Sequence, residues 1–187
     1  MSNILEMTKF YSDNFSQCID TIENCSYDSI NKTNFCTLKT KCYNFDKIKE
    51  LVCFGRPTLC SVDSLIISQG NNTIYFIEFK NKKFCDSKKN FLISSEDSFV
   101  IYNYLETFYA SSSTNKPKLK AILVLEKIKN STFLSSLKRA AISHKLDNHL
   151  SYKAIKERLV NIQKFGKSIL FDEIIICSQC DLHKFIK

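Results

Sequence analysis

The stretch IYFIEFK, residues 74–80, decides how this chain folds. It is an almost unbroken apolar run that closes on one acidic and one basic residue. Because side chains alternate across a pleated strand, Glu78 and Lys80 point to one face while Ile77 and Phe79 point to the other. The stretch therefore predicts a buried strand that presents a carboxylate and an ammonium group side by side at its end.

A second strand is predicted immediately upstream. Residues 58–67 (TLCSVDSLII) are rich in apolar and β-branched residues and contain an isolated acid, Asp63. The intervening residues 68–73 (SQGNNT) carry the Gly and Asn residues that favour turns, so an antiparallel hairpin is expected. Such a hairpin brings Asp63 beside Glu78.

A helix and a further strand are predicted after the hairpin. Residues 94–97 (SSED) have the form of a helix-capping motif, and apolar residues then recur at helical spacing as far as Phe108. Residues 119–125 (LKAILVL) read as a strand, which with residues 74–80 gives a right-handed βαβ unit with parallel strands. Residues 168–176 predict a last strand in the same sheet. The fold class expected is α/β, with a central mixed sheet that holds the hairpin and the βαβ unit and is flanked by helices.

Length and composition favour a single domain over residues 1–187. We expect an N-terminal helical cap (1–45), a core (46–127), and a basic helical segment that ends in the last strand (128–187). No apolar run reaches the length of a membrane span and the first residues lack the pattern of a secretory signal. The expected location is therefore cytoplasmic, without a membrane partner.

The chemistry follows from the three polar groups at the end of the hairpin. Two carboxylates with a backbone carbonyl suit Mg²⁺ or Mn²⁺, which bind oxygen ligands. Such a metal polarises a phosphodiester and activates a water molecule, while a nearby lysine offsets developing charge. The pattern favours hydrolytic phosphoryl transfer.

Residues 46–127 resemble the PD-(D/E)XK nuclease superfamily, whose fold is called restriction-endonuclease-like. The resemblance implies that Asp63 and Glu78 are metal ligands, that Phe79 supplies a carbonyl ligand, and that Lys80 is the catalytic lysine. One departure is visible, because Val62 precedes Asp63 and the nearest proline is at position 57.

A third acid is often supplied in this superfamily by a helix that precedes the hairpin. Residues 46–52 (DKIKELV) form a candidate helix, which makes Glu50 the first choice. Glu23, in the earlier segment 18–23, is the second choice. For either residue the plain alternative is a solvated surface charge.

Positive charge is concentrated in the C-terminal part of the chain. Residues 115–187 carry fifteen Lys and Arg against six Asp and Glu, whereas residues 1–114 carry twelve against thirteen. Such asymmetry is typical of a surface that binds a polyanion, with nucleic acid favoured over an anionic membrane surface. The predicted phosphate contacts are Lys82, Lys83, Lys88, Lys89, Lys138, Arg139, Lys145, Lys156 and Arg158.

The nine cysteines are expected to be reduced, because several lie within apolar runs and no secretory signal is present. Cys177 and Cys180, with His183 three residues later, have the spacing of half a zinc site. The end of a last strand explains the same motif.

Two hypotheses follow. The first is a metal-dependent nuclease that hydrolyses phosphodiester bonds, with DNA favoured over RNA, and that could act as a homodimer. The alternative is a non-catalytic module of the same fold that binds nucleic acid or an acidic protein partner.

Overall fold

A central sheet of six strands organises the fold. The structure is a computed structural model, which describes residues 3–53, 59–81, 84–109, 116–125 and 170–186. The strands in chain order are β1 (Ile19–Thr21), β2 (Tyr27–Asp28), β3 (Thr33–Asn34), β4 (Lys41–Asn44), β5 (Ser64–Ser68), β6 (Thr73–Lys80), β7 (Lys118–Leu125) and β8 (Glu173–Ser178). The helices are α1 (Asn3–Phe15), α2 (Ile22–Cys25), α3 (Phe45–Cys53) and α4 (Phe84–Glu106), with 3-10 turns at Ser16–Cys18 and Leu182–Lys184.

The sheet is mixed, with the order β1-β4-β5-β6-β7-β8. The first four of these strands pair antiparallel, whereas β6 pairs parallel with β7 and β7 parallel with β8. The predicted hairpin, the parallel pair joined through a helix and the last strand are therefore confirmed. The expectation of an α/β fold with a central mixed sheet flanked by helices is confirmed at this level.

Strand β6 is buried along almost its whole length, because it lies inside the sheet and both of its faces are covered. Ile74 and Phe76 face a cluster built with α1, α3 and α4, whereas Tyr75 and Ile77 face a second cluster built with α2 and the segment around Phe35. The turn between β5 and β6 bends through Asn72, whose φ of 48° lies in the left-handed region that Asn tolerates better than most residues.

Three predicted elements differ from the observed ones. The N-terminal 45 residues are not only a helical cap, because β1 and β4 belong to the central sheet and β2 and β3 form a separate two-stranded ribbon. The first hairpin strand begins at Ser64 rather than at residue 58. Helix α4 begins at Phe84, so the predicted capping motif at residues 94–97 lies inside the helix.

The serines of that motif explain the error in the helix start. Ser94 and Ser95 are buried on α4, as is the nearby Ser98. Serine and aspartate favour helix starts when their side chains bond to the local backbone, but here Asp97 and Ser98 accept hydrogen bonds from a different segment of the chain. A tertiary contact therefore replaces the capping role that the sequence predicts.

The basic helical segment predicted between residues 128 and 169 lies outside the described residues. Within the ranges that are described, no helix combines the length and the apolar character needed to cross a membrane.

Candidate active site

Glu78 and Lys80 continue the row of side chains that begins with Ile74 and Phe76, on the face of β6 that α1, α3 and α4 cover. Glu78 is almost completely buried, with 1% of the residue exposed. The Lys80 side chain is 27% exposed, and its Nζ forms an ion pair with Glu78 Oε1. The strand thus carries a buried carboxylate at the edge of the core and an ammonium group that reaches the surface beside it.

Asp63 lies immediately before β5 and reaches across to β6. The register pairs Ser64 with Ile77, which sets Asp63 opposite Glu78. The Phe79 backbone N–H donates a 2.6 Å hydrogen bond to Asp63 Oδ2. The hairpin therefore brings Asp63, Glu78 and Lys80 together, as the sequence predicts.

The Phe79 carbonyl lies on the same edge of the strand as the Phe79 N–H, because both groups of one strand residue leave the backbone toward the same neighbour. That N–H is bonded to Asp63. The carbonyl predicted as a ligand therefore faces the side of β6 on which Asp63 lies, while the Phe79 ring packs in the second core cluster on the opposite face of the sheet.

The segment before Asp63 is held by α4 rather than by strand pairing. The Cys60 N–H donates to Asp97 Oδ2 at 2.8 Å, and the Val62 N–H donates to Ser98 Oγ at 2.9 Å. Since neither hydrogen bond has a backbone acceptor, residues 59–63 do not continue β5. This explains why the described part of the predicted strand before Ser64, residues 59–63, is not strand, and it shows what fixes Asp63 in position.

Helix α3 fixes the other side of Asp63. The Phe45 N–H donates to the Asp63 carbonyl oxygen at 3.2 Å, and Ser61 Oγ donates to a carboxylate oxygen of Asp46 in the first turn of α3. Asn44 caps this helix, since its Oδ1 accepts from the Lys47 N–H at 3.1 Å. The start of α3 is therefore joined directly to the segment that carries Asp63.

Asp46 is the third acid whose charge acts on this group. Its negative charge raises the pKa values of Asp63, Glu78 and Lys80. The sequence placed Asp46 at the start of the correct helix but did not single it out. The available signal was its position in the first helical turn, since that turn adjoins β4, which pairs with β5.

The two acids chosen from the sequence lie elsewhere. Glu50 is exposed on α3, and its charge raises the pKa of the Cys18 thiol. Glu23 on α2 forms an ion pair with Lys39. Neither is among the groups that most affect Asp63 and Glu78, whereas Asp46 on the same helix is among them, and the role of Glu50 stays a prediction.

Burial dominates the electrostatics of the pair. Loss of hydration raises the pKa of Asp63 to about 7, although the hydrogen bond from Phe79 and the charge of Lys80 oppose this increase. Burial and the charge of Asp63 raise the pKa of Glu78 to about 8. The Lys80 pKa is raised by its carboxylate neighbours even though burial lowers it, so the ammonium stays charged at neutral pH. Burial therefore opposes the ionised form of both carboxylates, and a bound cation would favour it.

The donor set fits a divalent metal ion. Glu78 Oε2 is buried and has no hydrogen-bond partner, which is costly for the ionised carboxylate unless a cation binds it. Within the described ranges, no three or more His, Cys, Asp and Glu side chains gather closely enough to form a metal site by themselves. Mg²⁺ does not need such a cage, because it is commonly bound through one or two carboxylates together with water and substrate phosphates.

The predicted phosphate contacts are mostly outside the described residues, and their role stays a prediction. Two of them, Lys88 and Lys89, fall within α4. The remainder are Lys82, Lys83, Lys138, Arg139, Lys145, Lys156 and Arg158.

Cys177 and Cys180 occupy different environments. Cys177 is buried in β8 within the second core cluster, whereas Cys180 is exposed in the turn that follows. His183 is exposed in the adjoining 3-10 turn. The motif therefore marks the end of the last strand, which is the plain alternative that the sequence left open.

Comparison of this chain with protein-family models, with curated proteins and with solved structures found no match.

Proposed function

We propose that this chain is a Mg²⁺- or Mn²⁺-dependent nuclease of the restriction-endonuclease-like type, with DNA favoured over RNA as substrate. The observation that carries the proposal is the buried carboxylate of Glu78. It has one oxygen paired with Lys80, one oxygen without a partner, and Asp63 across the hairpin. Burying two ionised carboxylates beside a single ammonium group is costly, and a divalent cation would offset that cost.

The arrangement of the sheet supports the same proposal. The acids lie on an antiparallel hairpin, and its second strand is followed by a helix and a parallel strand. The core of the PD-(D/E)XK superfamily, which residues 46–127 resemble, has the same order of hairpin, helix and strand. Glu78 and Lys80 lie at the carboxyl end of β6, where the chain leaves the sheet.

Each residue has a distinct role in the proposed reaction. Asp63, Glu78 and the Phe79 carbonyl would hold the metal, and Asp46 adds negative charge from α3. A bound divalent cation would polarise the phosphodiester and lower the pKa of a neighbouring water molecule. Lys80 orients that water by donating a hydrogen bond and offsets negative charge at the phosphate.

Lys80 acts as a cation rather than as a base. Its pKa is raised by Glu78 and Asp63, so it carries a proton at neutral pH and has no capacity to accept another. Because the side chain is partly exposed while Glu78 is buried, the ammonium lies between the carboxylates and the solvent from which a substrate approaches. The positive charge of the whole chain, +8 at pH 7, favours a polyanionic substrate.

The test is cleavage of a plasmid and of a structured RNA with Mg²⁺, Mn²⁺ or EDTA. The informative variants are Asp63→Asn, Glu78→Gln and Lys80→Met, and Glu173→Gln is the matched control because Glu173 is an exposed partner of Lys120 at the opposite end of β7. We expect metal-dependent cleavage that the control retains and that each site variant reduces by at least about a hundredfold.

Two results would overturn the proposal in different ways. Cleavage that survives Glu78→Gln would move the site elsewhere in the chain. No cleavage by the wild-type protein with either metal, together with retarded migration of the nucleic acid in a gel, would favour the non-catalytic binding module.

A further inference from the structure

Two cysteine side chains meet beside the sheet at a place that the proposed reaction does not use. Cys25 Sγ on α2 lies 3.5 Å from Cys42 Sγ on β4, close enough for one thiol to donate a hydrogen bond to the other. The two residues belong to different elements and are separated by the segment that contains β2 and β3. A disulfide bond needs the sulfur atoms to approach by roughly a further 1.5 Å.

The surroundings give the two thiols unequal access to solvent. Cys42 is 4% exposed and lies in the second core cluster, whereas Cys25 is half-buried at the border of that cluster. A reagent in solution therefore reaches Cys25 first. The buried Cys42 thiol lies next to Cys25 Sγ, in contact with the sulfur that reacts first.

We propose that Cys25 and Cys42 form a reversible oxidation site, which a low-molecular-mass disulfide converts into an intramolecular disulfide bond. The proposal does not rest on the proposed nuclease activity.

The reaction balances as two thiol–disulfide exchanges. Cys25 attacks one sulfur of the small disulfide, loses its proton and forms a mixed disulfide, while the first small thiol leaves with a proton. Cys42 then attacks Cys25 Sγ, and the second small thiol leaves in the same way. The two cysteines are oxidised and the small disulfide is reduced to two thiols.

The rate should depend strongly on pH. The hydrogen bond with Cys42 and burial raise the pKa of the Cys25 thiol, and the negative charges of Asp20 and Asp63 raise it further. The reactive thiolate is therefore scarce at neutral pH. Below that pKa, the thiolate fraction rises about tenfold for each pH unit. We expect slow oxidation at pH 7 and much faster oxidation at pH 9.

The linkage joins parts of the chain that border the candidate active site. Asn44, which caps α3, lies two residues after Cys42 on β4, and α3 begins with the turn that carries Asp46. The new bond would fix α2 to this strand. It would enclose residues 26–41 in a covalent loop.

The experiment uses the full chain and oxidised glutathione as the probe. Samples taken over time at pH 7 and pH 9 are quenched with acid, blocked with N-ethylmaleimide and mapped without reduction. Combined digestion with trypsin and a glutamate-specific protease places Cys18, Cys25, Cys36 and Cys42 on separate peptides, because a Glu or Lys lies between each neighbouring pair.

We expect a linked peptide pair that contains Cys25 and Cys42, forms faster at pH 9 and disappears on treatment with dithiothreitol. Cys42→Ser should accumulate glutathione on Cys25, because the second exchange is blocked. The control Cys60→Ser changes an exposed cysteine and should leave the linked pair unchanged.

The proposal is overturned if wild-type protein gives no linked pair at either pH while its exposed cysteines Cys60 and Cys180 become glutathionylated, since this shows that the oxidant is active. It is also overturned if the glutathione adduct on Cys25 is as persistent in the wild type as in Cys42→Ser. The first result needs no variant, so it decides the question even if Cys42→Ser does not fold.

Discussion

Replacement of Glu78 by Gln should stabilise the metal-free protein at alkaline pH. The neutral amide has nearly the same shape as the carboxylate but removes a buried charge with one unpartnered oxygen. The pKa of Glu78 is raised from 4.5 to about 8. Between these two pH values the folded chain retains a proton that the unfolded chain has released, so the free energy of unfolding falls as pH rises.

The pKa values set the size of the effect. At ~1.4 kcal/mol per pKa unit, the ionised Glu78 side chain costs the folded state at most about 5 kcal/mol above pH 8. Local rearrangement and the loss of the Lys80 ion pair in the variant reduce the gain, so we expect Glu78→Gln to be more stable by about 2–4 kcal/mol at pH 9. Near pH 5 the wild-type side chain is protonated in the fold, and the difference should fall below about 1 kcal/mol.

The assay is urea unfolding followed by circular dichroism at pH 5, 7 and 9 in EDTA. Saturating Mn²⁺ should reverse the order at pH 9, because a cation that binds only the folded wild-type site stabilises it. The control is Glu50→Gln, an exposed change on α3 that should alter stability by less than about 0.5 kcal/mol at every pH. If Glu78→Gln were the less stable protein at pH 9 in EDTA, or if its advantage did not vary with pH, the reasoning from burial would be refuted.

Three further predictions concern the surroundings of the site. Asp46→Asn should weaken Mn²⁺ binding and cleavage by about tenfold, while Glu50→Gln leaves both unchanged. If the two variants lost equal Mn²⁺ affinity in calorimetric titrations and equal activity in cleavage assays, Asp46 would not be the third acid. Ser98→Ala leaves the buried Val62 N–H without its acceptor and should lower the free energy of unfolding in urea by about 1–3 kcal/mol. Ser95→Ala removes a buried hydroxyl that has no partner and should lower it by less than about 1 kcal/mol. The reverse order would contradict the anchoring of this segment by α4. Because the two buried carboxylates titrate near pH 7 to 8 and bind a metal only when ionised, Mn²⁺ affinity should rise between pH 6 and 8.5 with release of protons, and calorimetry that found no proton release at pH 6.5 would contradict this.

The central part of the fold was accessible from local sequence pattern. An apolar run of strand length indicates a strand covered on both faces, and a turn rich in Gly and Asn between two such runs indicates a hairpin. These signals act over a few residues, and they correctly gave β6, the β5–β6 turn and the approach of Asp63 to Glu78. The short helix α3 was found in the same way.

The N-terminal strands and the start of α4 were not accessible in this way. Strands β1 and β4 are only three and four residues long, and most of their residues are exposed or half-buried. Their sequences therefore lack a clear alternation of apolar and polar residues. The serines inside α4 resemble a helix start because the sequence does not reveal that Ser98 bonds to a backbone N–H 36 residues earlier. At the start of α4, local propensity was overridden by tertiary hydrogen bonds.

The sequence by itself determined which groups meet at the end of β6, because alternation along a strand and the register of a short hairpin are local properties. Only the tertiary structure decided that Glu78 is buried with one oxygen unpartnered, that α4 holds the segment before Asp63, and that the charge of Asp46 acts on the two carboxylates. These depend on which distant surfaces pack together, and hydration and electrostatic energies depend on that packing more than on neighbours in the chain.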